Sequence, residues 1–93
     1  MSREIIIKPS AEYDIKNGFG YIGQDSIEAA LRFLAAAKQT FDEIADMPGM
    51  GKRRETKNPK MAGLRQLPIR GFEKYLVFYQ VTEDEIHIRL YRE

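Results

Sequence analysis

The chain has no cysteine and only one histidine among its 93 residues. Without cysteine there is no disulfide framework, no thiolate nucleophile and no cysteine-built zinc site. A single histidine anchors a metal cage only if carboxylates supply nearly every other ligand. Neither a metal nor another cofactor is therefore expected. The lack of cysteine also fits a reducing cytoplasm. No apolar run approaches the roughly 20 residues needed to span a bilayer. The opening MSREIIIKPS lacks the long apolar core of a secretory signal. A cytoplasmic chain that keeps away from membranes is the expectation, and no internal repeat or low-complexity tail interrupts it.

What remains is ordinary in bulk and unusual in arrangement. Hydrophobic content of 43% and charged content of 31% are typical of a soluble globular protein. Ninety-three residues make one domain, spanning residues 1–93, with stability on the order of 5–10 kcal/mol. Net charge is +1, but it is unevenly spread. Residues 49–74 hold eight basic side chains (Lys52, Arg53, Arg54, Lys57, Lys60, Arg65, Arg70, Lys74) against Glu55 and Glu73, a balance of +6. The rest of the chain holds seven basic and twelve acidic side chains, a balance of −5. A local field of this kind steers partners even when total charge is near zero.

Ile5, Ile6 and Ile7 are β-branched and flanked by charge, which predicts a first strand over about residues 3–8. Pro9 stops pairing and Ser10 is a good helix N-cap. Ala11, Ile15, Gly18, Phe19 and Ile22 then recur at helical spacing, with Gly23 placed to end the helix. Gly18 and Gly20 each weaken such a helix by roughly 1 kcal/mol relative to alanine, a cost compatible with close packing on a neighbour. Asp25 with Glu28 resembles a capping box. It opens a second helix over about residues 26–46, with an apolar stripe of Ile27, Ala30, Leu31, Leu34, Ala37, Phe41, Ile44 and Ala45. Met47-Pro48-Gly49 ends it. Helices joined by so short a link form an antiparallel hairpin.

Residues 49–63 read as a loop with room for a short turn of helix, and as the most mobile part of the chain. Three strands follow. Residues 64–70 form the first, with Pro68 marking an edge or a pairing gap. Residues 71–73 make a turn. Residues 74–81 are apolar on both faces, as in a central strand covered on both sides. Residues 82–85 make a hairpin loop. Residues 85–91 alternate, with Ile86, Ile88 and Leu90 inward and His87, Arg89 and Tyr91 on an open face. The predicted fold is α+β in the order β-α-α-β-β-β: an antiparallel helical hairpin packed on a small, mainly antiparallel sheet. Phe19, Phe33, Phe41, Phe72, Tyr75, Phe78 and Tyr79 are the large side chains expected to fill its interior.

Several motifs carry a family likeness. They are Ala11, Asp14 and Ile15 in the first helix, Tyr21-Ile22 at its end, and Met47-Pro48 with Gly51 after the second. The most specific are L-R-x-L-P-I-x-G-F over Leu64 to Phe72, Y-L-V-F-Y over Tyr75 to Tyr79, and I-x-I-x-x-Y over Ile86 to Tyr91. Together they resemble the RelE/ParE superfamily of toxins from type II toxin–antitoxin systems, and the ParE branch more than the RelE branch. The resemblance implies a plasmid-stabilisation toxin that poisons DNA gyrase in its cleaved complex with DNA. It also implies a cognate ParD-like antitoxin wrapping the toxin along the helical hairpin and onto the sheet. RelE-type relatives instead cut messenger RNA on the ribosome, with basic residues and often a Tyr or His near the chain end. The central strand here offers Leu76-Val77-Phe78 where the RelE branch commonly has an arginine. Many ParE-like chains continue past the last strand, whereas this sequence stops two residues after Tyr91. If toxicity lies in such a tail, this chain is weakened or acts through another surface. The alternatives are thus a RelE-like ribosome-dependent endoribonuclease, or an inactive toxin-derived domain that only binds antitoxin.

Lys52, Arg53, Arg54 and Lys57 suit phosphates or an acidic protein surface, or serve as a solvated loop. With Arg65, Arg70, Arg89, Tyr91 and Arg92 they form the expected target- or antitoxin-binding set, with a nucleic-acid contact among its uses. For an RNase, Arg65, His87, Arg89 and Tyr91 would be the catalytic set. His87 and Tyr91 would then act as base and acid around a ribose 2′-hydroxyl, with neighbours on one strand face roughly 7 Å apart. That role needs Arg65 beside Arg89 and Tyr91. The bland alternative gives Arg65 a salt bridge to Asp42, Glu43 or Asp46. The central expectation is that the cations gather in one concavity.

Overall fold

The structure, a computed structural model, describes residues 3–93. Strand β1 (Glu4–Ile7) leads into helix α1 (Pro9–Gly23) and helix α2 (Ile27–Asp46). Strands β2 (Lys52–Arg53), β3 (Arg65–Ile69), β4 (Phe72–Val81) and β5 (Glu85–Arg92) follow. A short 3₁₀ turn, Pro59–Met61, sits between β2 and β3. The sheet runs β1-β5-β4-β3-β2, with β1 parallel to β5 and every other pair antiparallel. This is the α+β arrangement that the pattern predicts, with one strand more.

That extra strand is β2. Two exposed basic residues carry no apolar alternation, so nothing in their pattern announces a strand. Two cap assignments also shift. The N-cap of α1 is Lys8, extended and without a side-chain bond, and Pro9 takes the first turn, so Ser10 lies inside the helix. Proline suits that place because its φ is preset and its missing N–H would be unpaired anyway. The cap of α2 is Ser26, one residue after Asp25, and its hydroxyl accepts the Ala29 N–H at 3.0 Å.

The two helices lie antiparallel, Gly23 beside Ala30 and Gly18 beside Phe33. A Cβ on Gly18 would stand 3.0 Å from the Phe33 ring and 3.1 Å from Tyr75, so a side chain there would force the helices apart. Gly20 faces open space and has no such role. The stripe of α2 that meets the sheet is Ala30, Phe33, Ala37, Thr40, Phe41 and Ile44. Phe33 replaces Leu34 in it. Ile27, Leu31 and Leu34 of the expected stripe are instead 63%, 56% and 38% exposed. Thr40 is tolerated inside because its hydroxyl donates to the Ala36 carbonyl at 2.8 Å.

Against these helices the sheet buries Ile69, Tyr75, Val77, Tyr79, Ile86, Ile88 and Leu90. Phe33 stands at the centre, edge-on to Phe72 at 5.4 Å and tilted on Tyr75 at 4.8 Å. β4 is central, as expected, but only its Tyr75, Val77 and Tyr79 side is closed. Leu76, Phe78 and Gln80 are half-buried on the other face. The turn before β4 is tighter than expected, with Gly71 at φ 86° and Phe72 already in the strand. Pro68 lies beyond the reach of β2, beside a register shift. Its missing N–H therefore costs no ladder bond. Among the described residues, no helix is long and apolar enough to cross a membrane, and no group of three or more potential ligands could hold a metal.

Candidate functional site

The surface that positions the basic segment is built from the buried side of β4. Tyr79, 1% exposed, donates its hydroxyl to the Pro48 carbonyl at 2.8 Å and accepts the Gly51 N–H at 2.8 Å. Its register partner Arg65 donates to the carbonyls of Gly49 at 3.2 Å and Gly51 at 2.7 Å. Burial raises the Tyr79 pKa above its usual 10, while the Gly51 N–H and the Arg65 charge oppose the rise. A Cβ on Gly51 would fall 2.6 Å from the Tyr79 hydroxyl and 3.0 Å from the Gln66 carbonyl, so the position requires glycine. The chain therefore leaves α2 at a fixed point, and Lys52 and Arg53 pair as β2 with Gln66 and Arg65.

The far end of the segment is tied as well. The Arg54 N–H donates to the Leu64 carbonyl at 2.8 Å, and Gln80 Nε2 donates to the carbonyls of Lys60 at 2.8 Å and Ala62 at 3.3 Å. What was expected to be a free loop is folded back over one edge of the open sheet face. Beneath it lies a pocket of about 90 Å³ lined by Lys8, Met61, Leu64, Gln80, His87 and Arg89, among others.

Antiparallel register sorts the candidate residues onto two faces. Arg65, Tyr79 and Ile88 are aligned and share the helix-covered face. Gln66, Phe78 and Arg89 are aligned on the open face, with Lys52 opposite Gln66. Arg54 reaches that face too. Its Nη1 donates to Gln66 Oε1 at 2.7 Å and its guanidinium lies 5.5 Å from the Phe78 ring centre. Phe78 in turn meets Tyr91 edge to face at 6.3 Å. Phe78 is thus part of a surface, not of the core.

The remaining cations go elsewhere. Arg53 shares the face of Arg65, and Lys57 is exposed in the segment between β2 and β3. Arg70 lies 3.6 Å from Glu43. Arg92 stacks over Tyr21 at 4.2 Å, beside a groove of about 690 Å³ between α1 and the end of β5. The nine expected binding residues therefore do not share one concavity: Lys52, Arg54, Arg89 and Tyr91 come together, and Arg53, Arg65, Arg70 and Arg92 do not join them.

The proposed RNase set is divided in the same way, with Arg65 on the opposite face from His87, Arg89 and Tyr91. His87 and Tyr91 are four residues apart along extended β5, about 13 Å, too far to flank one phosphate. His87 is half-buried with Nε2 3.1 Å from Glu85 Oε1. Arg65 Nη1 donates to two backbone carbonyls, while Asp42 pairs with Lys38 and Glu43 with Arg70. Gln66 and Phe78, which complete a strip with the expected Arg54 and Tyr91, were not among the expected binding residues. The signal for Phe78 was the alternation of Leu76, Phe78 and Gln80, which places them on the same face as Arg89 and Tyr91.

Residues 5–92 match the family described as the ParE toxin of the type II toxin–antitoxin system, parDE. The chain belongs to the ParE toxin family. Among solved structures, this ParE-type toxin is similar to the "Chromosomal ParDE TA system from P. aeruginosa". The TM-score is 0.76 at 19% identity, covering 98% of this chain and 96% of that one, a likeness of fold. None of the curated proteins matches the sequence. On this ParE fold, the outward side chains of the anchored basic segment and the exposed helical ridge Ile27–Leu31–Leu34 both offer surface to a partner.

Proposed function

We propose that this toxin acts by binding DNA gyrase and stabilising its cleaved complex with DNA, and that a cognate ParD-like antitoxin neutralises it in the cytoplasm. The chain acts as one toxin domain, and as a binding protein more than as an enzyme. The observation that carries this reading is the family match over residues 5–92. The separation of Arg65 from His87, Arg89 and Tyr91 across the sheet weighs the same way, because general acid–base cleavage needs its groups within hydrogen-bond reach of one substrate.

For the antitoxin, support comes from α2. Ile27, Leu31 and Leu34 recur at i, i+4 and i+7 and are each more than a third exposed. An amphipathic partner helix recognises a ridge of that kind. An acidic stretch beyond that helix would then reach Lys52 and Arg54 on the sheet.

The test uses purified gyrase and supercoiled plasmid. The toxin should accumulate cleaved DNA that detergent and protease reveal, and the product of the neighbouring gene should abolish it. Messenger RNA on ribosomes should stay intact. Transcripts cut in the ribosomal A site, with gyrase unaffected, would overturn the reading in favour of an endoribonuclease.

A further inference from the structure

The strip on the open sheet face combines two kinds of group that a salt-bridging partner alone does not need together. In register across β2, β3, β4 and β5 stand Lys52, Gln66, Phe78 and Arg89. Three strand spacings separate the ends of this row, about 14 Å. The row is cationic at both ends and aromatic within. Arg54 adds a guanidinium plane 5.5 Å from the Phe78 ring, held by its 2.7 Å bond to Gln66. Tyr91, 57% exposed, adds a ring fixed edge to face on Phe78. Glu85, the acidic side chain of β5 on this face, is already paired with His87.

We infer that this strip binds single-stranded nucleic acid, with phosphates on Lys52, Arg54 and Arg89 and a base stacked on the exposed ring of Tyr91. Charge complementarity allows any polyanion. The aromatic component favours a strand, because a base offers a π face to a tyrosine or a guanidinium plane and an acidic peptide does not. The face presents neither a helix nor a projecting ribbon to enter a major groove, so unpaired bases suit it better than a duplex. Arg54 is already held in one plane by Gln66 and Phe78, which lowers the entropy lost when a ligand binds. The inference goes beyond gyrase poisoning and does not depend on it.

The experiment is fluorescence anisotropy of a labelled oligothymidylate and of a duplex of equal length, titrated with the full chain at low and at physiological salt. Unlabelled polyglutamate serves as the competing polyanion. The strand should bind more tightly than the duplex and weaken steeply with salt. Tyr91→Ala should weaken strand binding about tenfold with the salt slope unchanged, while Tyr91→Phe retains it. Arg54→Ala should weaken binding and lower the salt slope by about one. Tyr91 is exposed, so both of its variants should fold, as circular dichroism will verify. Equal affinity for strand and duplex overturns the inference, as does a Tyr91→Ala variant that binds like the parent. Polyglutamate binding more tightly than the oligonucleotide overturns it too and assigns the strip to an acidic protein. Oligonucleotide binding and gyrase poisoning are read on separate components, so either can fail while the other stands.

Discussion

The same edit, removal of one phenolic oxygen, should have opposite consequences at two tyrosines four residues apart on one strand face. Tyr79 is fully engaged, donating to Pro48 and accepting from buried Gly51. Tyr79→Phe leaves the Gly51 N–H without its partner, which costs about 1–3 kcal/mol for a buried donor. The half-buried Pro48 carbonyl turns to water and adds little. A loss of about 2 kcal/mol lowers the melting temperature of a domain of this size by roughly 8–16 °C. Tyr75 is 7% exposed, and its hydroxyl is buried with no hydrogen-bond partner among the described residues. Tyr75→Phe therefore removes an unpaired polar atom and should leave stability unchanged or raise it.

Thermal and urea melts of both variants at neutral pH test the pair. Two equal losses, or a larger loss at Tyr75, would refute the hydrogen-bond assignment. pH supplies a second check. Burial raises the folded-state pKa of Tyr79, so the fold favours the neutral phenol. The unfolded tyrosine ionises first, near 10. The stability that Tyr79 contributes is thus complete below pH 10 and is lost as pH climbs from there through the folded-state pKa. The deficit of Tyr79→Phe relative to the parent should narrow above pH 10; a deficit that widens there would contradict the burial argument.

Gly20→Ala should stabilise by about 0.5–1 kcal/mol through helix propensity, since its Cβ meets nothing. Gly18→Ala should instead destabilise by about 1–2 kcal/mol, because Phe33 is hemmed in by Phe72 and Tyr75 and cannot yield; chemical denaturation compares the two, and equal gains would sink the close-approach reading. Ser26→Ala should cost about 1 kcal/mol, whereas Asp25→Ala should cost less than half of that, as the melts of the two variants will show. Arg65→Lys keeps the charge but loses the planar guanidinium whose Nη1 bonds both Gly49 and Gly51, so it should lower stability by about 1–2 kcal/mol. Unchanged melting with weakened partner binding would make Arg65 a contact residue instead. Ile27→Ser with Leu31→Ser should barely move the melting temperature, yet weaken capture by the neighbouring gene product tenfold or more in calorimetry, as loss of apolar anchors does; unaltered affinity would move the antitoxin off α2.

The hairpin, the strand order of the last thirty residues and the inward set Ile86, Ile88 and Leu90 were legible because each rests on local periodicity. A period of two or of 3.6 is a property of neighbouring residues and survives in the sequence. β2 was not legible because its pairing is imposed from outside, by Tyr79 and Arg65, which lie 28 and 14 residues from Gly51 along the chain. The rotation of the α2 stripe has a similar origin. Both Phe33 and Leu34 satisfy the pattern, and only the aromatic pocket of Phe72 and Tyr75 with the gap at Gly18 decides which one turns inward. Ser26 and Asp25 are equally good caps by type, and the extended backbone at Ser26 chooses between them. The candidate site suffered most, because charge along a segment carries no information about face.

The positive segment, residues 49–74, is not one patch. Its balance of +6 is a sum over side chains that the fold sends in different directions. Arg65 is consumed in holding two carbonyls, and Arg70 lies beside Glu43. Lys52 and Arg54 remain outward on the open face, and Arg89 joins them from a strand outside the segment altogether. The segment is therefore better regarded as two devices. Arg65, with Tyr79 and Gly51, fixes where β2 begins. Lys52 and Arg54 use that fixed start to meet the aromatic pair Phe78 and Tyr91. Screening then distinguishes the two. Hydrogen bonds of a partly buried guanidinium respond weakly to salt, whereas exposed cations facing a polyanion lose their effect within a Debye length of about 8–10 Å at physiological ionic strength. Salt should accordingly dissolve partners from the open face long before it loosens the anchor that presents it.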